Sequence, residues 1–465
     1  MTQSTTRPTL TAELIALAAL SALTRFWKLF TPNAVVFDEL HFEHHAGHYL
    51  DGTYYFDVHP PLGKLLYAAE ARLFDVSAAT LLTGQPATAL RLLPALLGAL
   101  LVPLIYILIR QLGASRKVAT LGGIIALCDN ALLVDSRFIL LEPLLMGFGM
   151  IAIVLFLASR TRSGPTRLSL LSLAAFFAGC AISVKWTGAS ALGAIGVLWL
   201  ADAIARRPAR SSVAAEGALL LVIPVIIYVS AFAVHFALLP KVGVDEGIMP
   251  LRFRKSLVGD PLYDPNAHLS LAVKLADMHR AIGRGNRSLE GVVHPAASPW
   301  YTWPIMKHPI GLWQDSPART QSIVLVGNPV VWWGAAVGVL IALIVLERRR
   351  ALARRWKFAL LFVAGCYLIN FLPFIAITRV MYLYHYLFAE LWMSVLAVVS
   401  IGAVADWNDD DAHPWRFSSP KSAGLYYGIV ALVVTGFAYF APLTYGWTLT
   451  PAAYDARFWV LHPQF

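Results

Sequence analysis

Eleven runs of 17 to 24 residues, almost free of charge, punctuate this 465-residue chain and leave it few ways to fold. They cover about 11–30, 90–110, 118–134, 138–159, 168–184, 187–204, 216–239, 323–346, 358–377, 386–405 and 424–444. One crossing of a bilayer takes about 20 such residues. Inside lipid every backbone N–H and C=O must be satisfied within the protein, which makes each run a helix. The expected fold is an all-α polytopic membrane protein with about eleven transmembrane helices. Only 14% of the residues are charged, against roughly a quarter in soluble domains, so lipid is the expected solvent.

Charge placement orients the bundle. Arg110, Arg116 and Lys117, then Arg160, Arg162 and Arg167, then Arg206, Arg207 and Arg210 fall in alternate short loops. Arg348, Arg349, Arg350, Arg354, Arg355 and Lys357 continue the series. Basic loops stay cytoplasmic, so the N-terminus is expected inside and the C-terminus outside. Arg25 and Lys28 lie on the other side, two charges against many. No Ala-x-Ala pattern follows the first run, which is read as a retained span. The net charge of +10 is used up in this topology, and no Lys/Arg-rich tail or stacking module points to nucleic acid. Cys128, Cys180 and Cys366 sit in or beside apolar runs without a CxxC pair, and read as small core residues. Asp409-Asp410-Asp411, in the last inner loop, reads as a solvated cluster. No internal repeat of the transporter kind is present.

Two long polar stretches are left outside, about 31–89 and 240–322. They divide the chain into an N-terminal module (1–239), an outer loop (240–322) and a C-terminal module (323–465). The first stretch carries Asp38-Glu39 directly after a span, and Asp57-Val58-His59-Pro60-Pro61 further on. A carboxylate at the membrane surface can act as general base toward a lipid-bound substrate. The plainer alternative is a helix cap. His59-Pro60-Pro61 stiffens the backbone, and Leu62 to Phe74 has the spacing of an amphipathic helix on the membrane. His44, His45 and His48, with His41 and Glu43, are read as surface residues of a helix, metal binding being the alternative. Arg91, Asp135, Arg137, Glu142, Lys185 and Arg379 gather at the outer ends of other spans. Cations there suit a phosphate; snorkelling is the other reading.

The ensemble resembles the protein O-mannosyltransferase family, the dolichyl- or polyprenyl-phosphate-mannose–protein mannosyltransferases of the GT-C superfamily. Its carriers are Phe37-Asp38-Glu39-Leu40-His41-Phe42, Tyr55 through Lys64, Arg91-Leu92-Leu93-Pro94-Ala95 and Cys128 through Leu132. Ser136 through Glu142, Ser183-Val184-Lys185-Trp186, Ser298 through Pro304 and Tyr384-His385-Tyr386 complete it, in the family's order. The resemblance implies a GT-C fold with eleven spans. It also implies inverting transfer of mannose from a polyprenyl phosphate to Ser or Thr hydroxyls of proteins crossing the membrane. Eukaryotic members carry a β-trefoil MIR domain where residues 240–322 lie; this loop is too short for one, which suggests a bacterial or archaeal plasma-membrane member.

By the same resemblance Asp38 is the expected base, supported by Glu39. Arg91, then Lys185 and Arg137, are the expected donor-phosphate ligands. His59, Tyr384, His385 and Tyr386 are expected at the mannose, and Trp300 and Trp303 at the acceptor cleft. No cofactor or metal is required by this chemistry, since cationic side chains can stabilise the leaving phosphate; divalent-metal dependence and oligomeric state stay open. A GT-C transferase acting on lipid A or another glycolipid is the nearest rival, and a membrane transporter a distant one.

Overall fold

The computed structural model describes residues 10–315, 320–347, 353–408, 413–458 and 463. Arg348, Arg349 and Arg350, the Asp409-Asp410-Asp411 cluster and the N-terminal residues 1–9 lie outside this set.

The N-terminal half folds as α1 (Ala12–Phe26), then α2 (Glu39–Asp51), α3 (Leu62–Leu73) and the short α4 (Ala78–Leu82). It continues through α5 (Leu92–Gln111), α6 (Arg116–Leu127), α7 (Asn130–Asp135), α8 (Glu142–Ser159), α9 (Gly164–Val184), α10 (Ala189–Arg206) and α11 (Arg210–Leu238). The outer loop supplies α12 (Leu251–Arg254), the amphipathic α13 (Leu271–Ser288) and an antiparallel hairpin of β1 (Ile310–Gln314) and β2 (Ser322–Leu325). The chain returns through α14 (Pro329–Glu347), α15 (Arg354–Phe371), α16 (Leu387–Val404), α17 (Pro420–Tyr445) and α18 (Pro451–Asp455).

Among the described residues nine helices are long and apolar enough to cross a membrane. They are α5, α8 to α11 and α14 to α17, several with an adjoining 3-10 turn. The chain is a multi-pass membrane protein. The remaining two apolar runs take a different form. The first gives the 15-residue α1. The run at 118–134 is broken, because the Asp129 carboxylate accepts from the amides of Ala131 and Leu132 and starts α7 afresh. The run beginning at 323 gives its first residues to β2, so α14 starts only at Pro329.

Burial separates the centre of the bundle from its rim. The segment Leu383–Val404 is 83% buried and α8 78%, whereas α11 is 22% and α17 17%. The first two are apolar all round and enclosed by protein; the last two turn most of their apolar surface to lipid. α8 packs on α5 and α9, and α16 on α14 and α15, with further contacts to α5, α6 and α8. Close approach is met by glycine. A Cβ at Gly338 would lie 2.2 Å from Ala397 Cβ, where α14 crosses α16.

Candidate functional site

The start of α2 holds the first decision of the site. Asp38 takes the N-cap position of this helix, yet its side chain makes no capping bond. The residue before it, Phe37, has φ +51°, a conformation unfavourable for a bulky side chain. This turn sends the next two carboxylates different ways. Glu39 points inward and is wholly buried. It accepts Arg91 Nε at 2.8 Å, Arg91 Nη2 at 2.7 Å, the Val36 amide at 2.9 Å and the Ile139 amide at 3.0 Å. Asp38 is largely buried but not wholly, outside any ion pair among the described residues.

Asp38 faces a group of polar side chains from distant elements. Burial pushes its carboxyl up to about 6, with Glu142 adding to the rise and His41, Lys185 and a hydrogen bond with Tyr384 opposing it. Lys185, the C-cap of α9, pairs with Glu142 at the start of α8. Its Nζ lies 5.4 Å from the Tyr384 ring centre, and Phe37 meets the same ring edge-on at 6.0 Å. Tyr384 stacks on His385 at 4.5 Å.

The second motif closes the group. Pro61 is the N-cap of α3, and Lys64 one turn into that helix reaches back to the Asp57 carboxylate and the His59 carbonyl. Burial alone would raise the Asp57 carboxyl; the Lys64 ammonium, through its charge and its hydrogen bond, overcomes this and holds the carboxyl well below the ordinary range. Burial keeps the His59 imidazole neutral. Gly63 gives α3 a close approach here, since a Cβ would come within 2.6 Å of Leu141 Cδ2 and push that side chain aside. Arg379 lies in the field of Asp57, Tyr384 and Glu142, with no ion pair among the described residues. Its position at the site was visible in sequence only as one more cation at the end of a span.

Several expected ligands are placed elsewhere. Arg91 is 1% exposed, and beyond Glu39 it donates to the carbonyls of Pro32 at 2.9 Å and Ala34 at 2.8 Å, with Leu29 at 3.5 Å. A guanidinium with five N–H groups has none left for a phosphate in this arrangement. Arg137 is likewise enclosed. It binds the carbonyls of Arg25, Trp27 and Lys28 at the end of α1 and lies over the Tyr445 ring at 4.7 Å. In this arrangement the donors of Arg91 go to Glu39 and backbone carbonyls, those of Arg137 to the end of α1, and Glu39 is held by Arg91. Tyr386 is buried against Tyr367 and Met393, and Trp303 is buried with its indole N–H on Ser298. Trp300 is partly buried and packs edge-on against Phe371. His385 is partly buried and closes the turn before α16 through Tyr382.

The histidines of α2 divide by face. His45 stacks on Tyr55 at 4.3 Å, His48 bonds Thr53 at 2.8 Å, and His41 is exposed. Among the described residues no group of three or more His, Cys, Asp or Glu side chains is arranged to hold a metal.

Two family descriptions match the chain. "Dolichyl-phosphate-mannose-protein mannosyltransferase" covers residues 15–240 and "C-terminal four TMM region of protein-O-mannosyltransferase" residues 272–462. The chain belongs to the protein O-mannosyltransferase family. It is 36% identical over 258 residues to protein O-mannosyltransferase 1 of Drosophila pseudoobscura pseudoobscura, 52% of this chain and 28% of that protein. It is 32% identical over 277 residues to dolichyl-phosphate-mannose–protein mannosyltransferase 4 of Candida albicans, 54% of this chain and 36% of the relative. The chain thus spans about a third of the length of these relatives. Among solved structures, the S. cerevisiae protein O-mannosyltransferase Pmt1-Pmt2 complex bound to the sugar donor superposes with a TM-score of 0.89 at 18% identity. That match covers 99% of this chain and 94% of the yeast one. ArnT from Cupriavidus metallidurans bound to undecaprenyl phosphate gives 0.57 at 16% identity, over 93% of this chain and 66% of that one. The fold of this O-mannosyltransferase family member is GT-C.

Proposed function

We propose that the chain transfers mannose from a polyprenyl-phosphate mannose to Ser or Thr hydroxyls of proteins, with inversion at the anomeric carbon. The observation that carries this reading is the division of labour at Asp38-Glu39: one carboxylate locked by Arg91, its neighbour left without an ion pair among cations and a tyrosine hydroxyl. Asp38 takes the acceptor's hydroxyl proton as the oxygen attacks C1 of the β-linked mannosyl phosphate. The C1–O bond to phosphate breaks and polyprenyl phosphate departs as an anion. Arg379 and Lys185 are the groups placed to stabilise that charge, and Glu142 holds Lys185 until a phosphate competes for it. Tyr384 orients the Asp38 carboxyl. His59, neutral and beside Asp57, is suited to a sugar hydroxyl, and His385 lies within its field.

The same reading places eleven spans in the plasma membrane, with α1 and the α6–α7 pair as the two beyond the nine long helices. The N-terminus is cytoplasmic, the site and C-terminus extracytoplasmic. Modules 1–239 and 323–465 then flank the outer loop 240–322, and the partners are the bilayer, the lipid-linked sugar and acceptor proteins in translocation. The test is product analysis: the full chain in proteoliposomes is given labelled polyprenyl-phosphate mannose and a Ser/Thr-rich polypeptide. Base-eliminable label in the polypeptide, abolished by Asp38→Asn, supports the reading. Label appearing only in a glycolipid, the product of the rival GT-C chemistry, would overturn it.

A further inference from the structure

Below the outer site, inside the helix bundle, a small cavity lies where α6 breaks into α7. Its walls are mostly apolar, with Ile105, Ile125 and Val395 among them, and its polar residues are Asp129, Glu390 and Ser394. Asp129 is well provided with donors. Oδ1 accepts the amides of Ala131 at 2.8 Å and Leu132 at 3.2 Å, and Oδ2 accepts Trp332 Nε1 at 2.7 Å. Three donors stabilise an ionised carboxylate. Glu390 is treated differently. Ser394 donates to Oε1 at 2.5 Å, while Oε2 is buried with no hydrogen-bond partner among the described residues. A bare carboxylate oxygen in such a place is costly, and a second negative charge across the cavity adds to the cost.

The charges around the pair do not relieve it. Arg25 of α1 is fully buried beside Asp129; its Nη groups bond the Ala126 carbonyl at 3.3 Å and the Thr24 hydroxyl at 3.1 Å, its Nε has no partner among the described residues, and it forms no ion pair with either acid there. Cys128 stands beside Asp129, and Tyr367 of α15 and Tyr386 at the head of α16 face Glu390. One cation and two acids leave one negative charge too many for an interior without solvent.

We propose that this cavity is a buried proton-and-water site. Glu390 is a neutral acid whose Oε2–H donates to a single water, and that water donates in turn to Asp129. The cavity has room for about one water molecule, and the water would have polar partners on both sides. The site ties α16 to the break between α6 and α7. Glu390 lies six residues beyond Tyr384, roughly 9 Å along the helix, so the bond braces the element that presents Tyr384 to Asp38. The inference concerns the bundle and stands independently of the transferase reading.

Infrared difference spectroscopy of the full chain in lipid nanodiscs tests it. The wild type at neutral pH should show a protonated-carboxyl band, sensitive to D2O, that is missing from E390Q. E390Q should unfold at the wild-type temperature, because an amide replaces a neutral acid of the same shape. In D129N the Glu390 band should persist but shift, as the water loses its anionic acceptor. An unchanged spectrum in E390Q, or an E390Q protein that is markedly less stable or fails to fold, overturns the neutral acid. An unshifted band in D129N overturns the water bridge.

Discussion

Replacing Arg91 by alanine separates two roles that a cation at the outer end of a span can have. In the structure Arg91 is the counter-ion of Glu39 and binds the carbonyls of Pro32 and Ala34. Its loss leaves a wholly buried carboxylate with two amide donors, Val36 and Ile139, in place of four bonds. Breaking a buried ion pair from one side costs about 3–5 kcal/mol, and each carbonyl left without a donor adds about 1 kcal/mol. Those magnitudes are a large part of the stability of most domains, so Arg91→Ala should unfold well below the wild-type temperature in detergent. The assay is thermal unfolding followed in parallel with initial transfer rates at low temperature, over a range of donor concentrations. The expected result is a lowered unfolding temperature, fewer active molecules and an unchanged donor KM in those that remain. A variant as stable as wild type, with a donor KM raised tenfold or more, would refute the reasoning and return Arg91 to the phosphate.

Arg379→Ala should give the converse: unfolding within about 1 kcal/mol of wild type, and donor binding weaker by about 2–4 kcal/mol, read from the dependence of rate on polyprenyl-phosphate mannose. Transfer should rise with pH through about 6 and level off above it, because the Asp38 carboxyl titrates there and only its ionised form is a base. Asp38→Asn should remove that leg and reduce turnover by about 10²-fold or more, and a profile flat from pH 5 to 8 would count against the base. Burial also pushes the Glu70 carboxyl of α3 up to about 8, against a hydrogen bond from the Leu93 amide. A raised pKa favours the protonated folded form, so its stability is full below about 4.5 and is lost as pH rises toward 8, by about 3–5 kcal/mol. Glu70→Gln should therefore be the more stable protein at alkaline pH and equal to wild type in acid, by unfolding at the two extremes.

Much of the fold was legible because lipid enforces a single rule on every long apolar run. The exceptions have local causes. Asp129 reads as one polar residue in the run at 118–134, but its carboxylate restarts the helix, and spacing alone does not reveal where a side chain turns. The outer site was legible as motifs and less so as geometry. The sequence brings Asp38, Lys185 and Tyr384 forward through their family motifs, and the structure gathers them. Arg91 and Arg137 have the same sequence signature as Lys185, a cation at an outer end. Only the path of residues 24–34 around them decides that their donors are spent on backbone carbonyls. Arg379 differs from them in having no side-chain hydrogen bond or ion pair among the described residues, although its backbone pairs with Glu290. Trp303 and Tyr386 illustrate the same limit for aromatics, since a motif position beside a site can be its wall or the packing behind it.

The clasp of Arg137 on the end of α1 has a consequence for the lipid itself. Fifteen residues of helix rise about 22 Å, against a hydrocarbon core of about 30 Å. Thr11 at the start of α1 bonds Tyr106 near the inner end of α5, so under the proposed topology the shortfall falls on the outer side. A short hydrophobic segment is met by thinning of the bilayer among other adjustments, and thinning there would bring the outer leaflet down toward the helix end. A polyprenyl phosphate entering such a depression would have its headgroup lowered toward Asp38, so that the membrane's shape would share in presenting the donor.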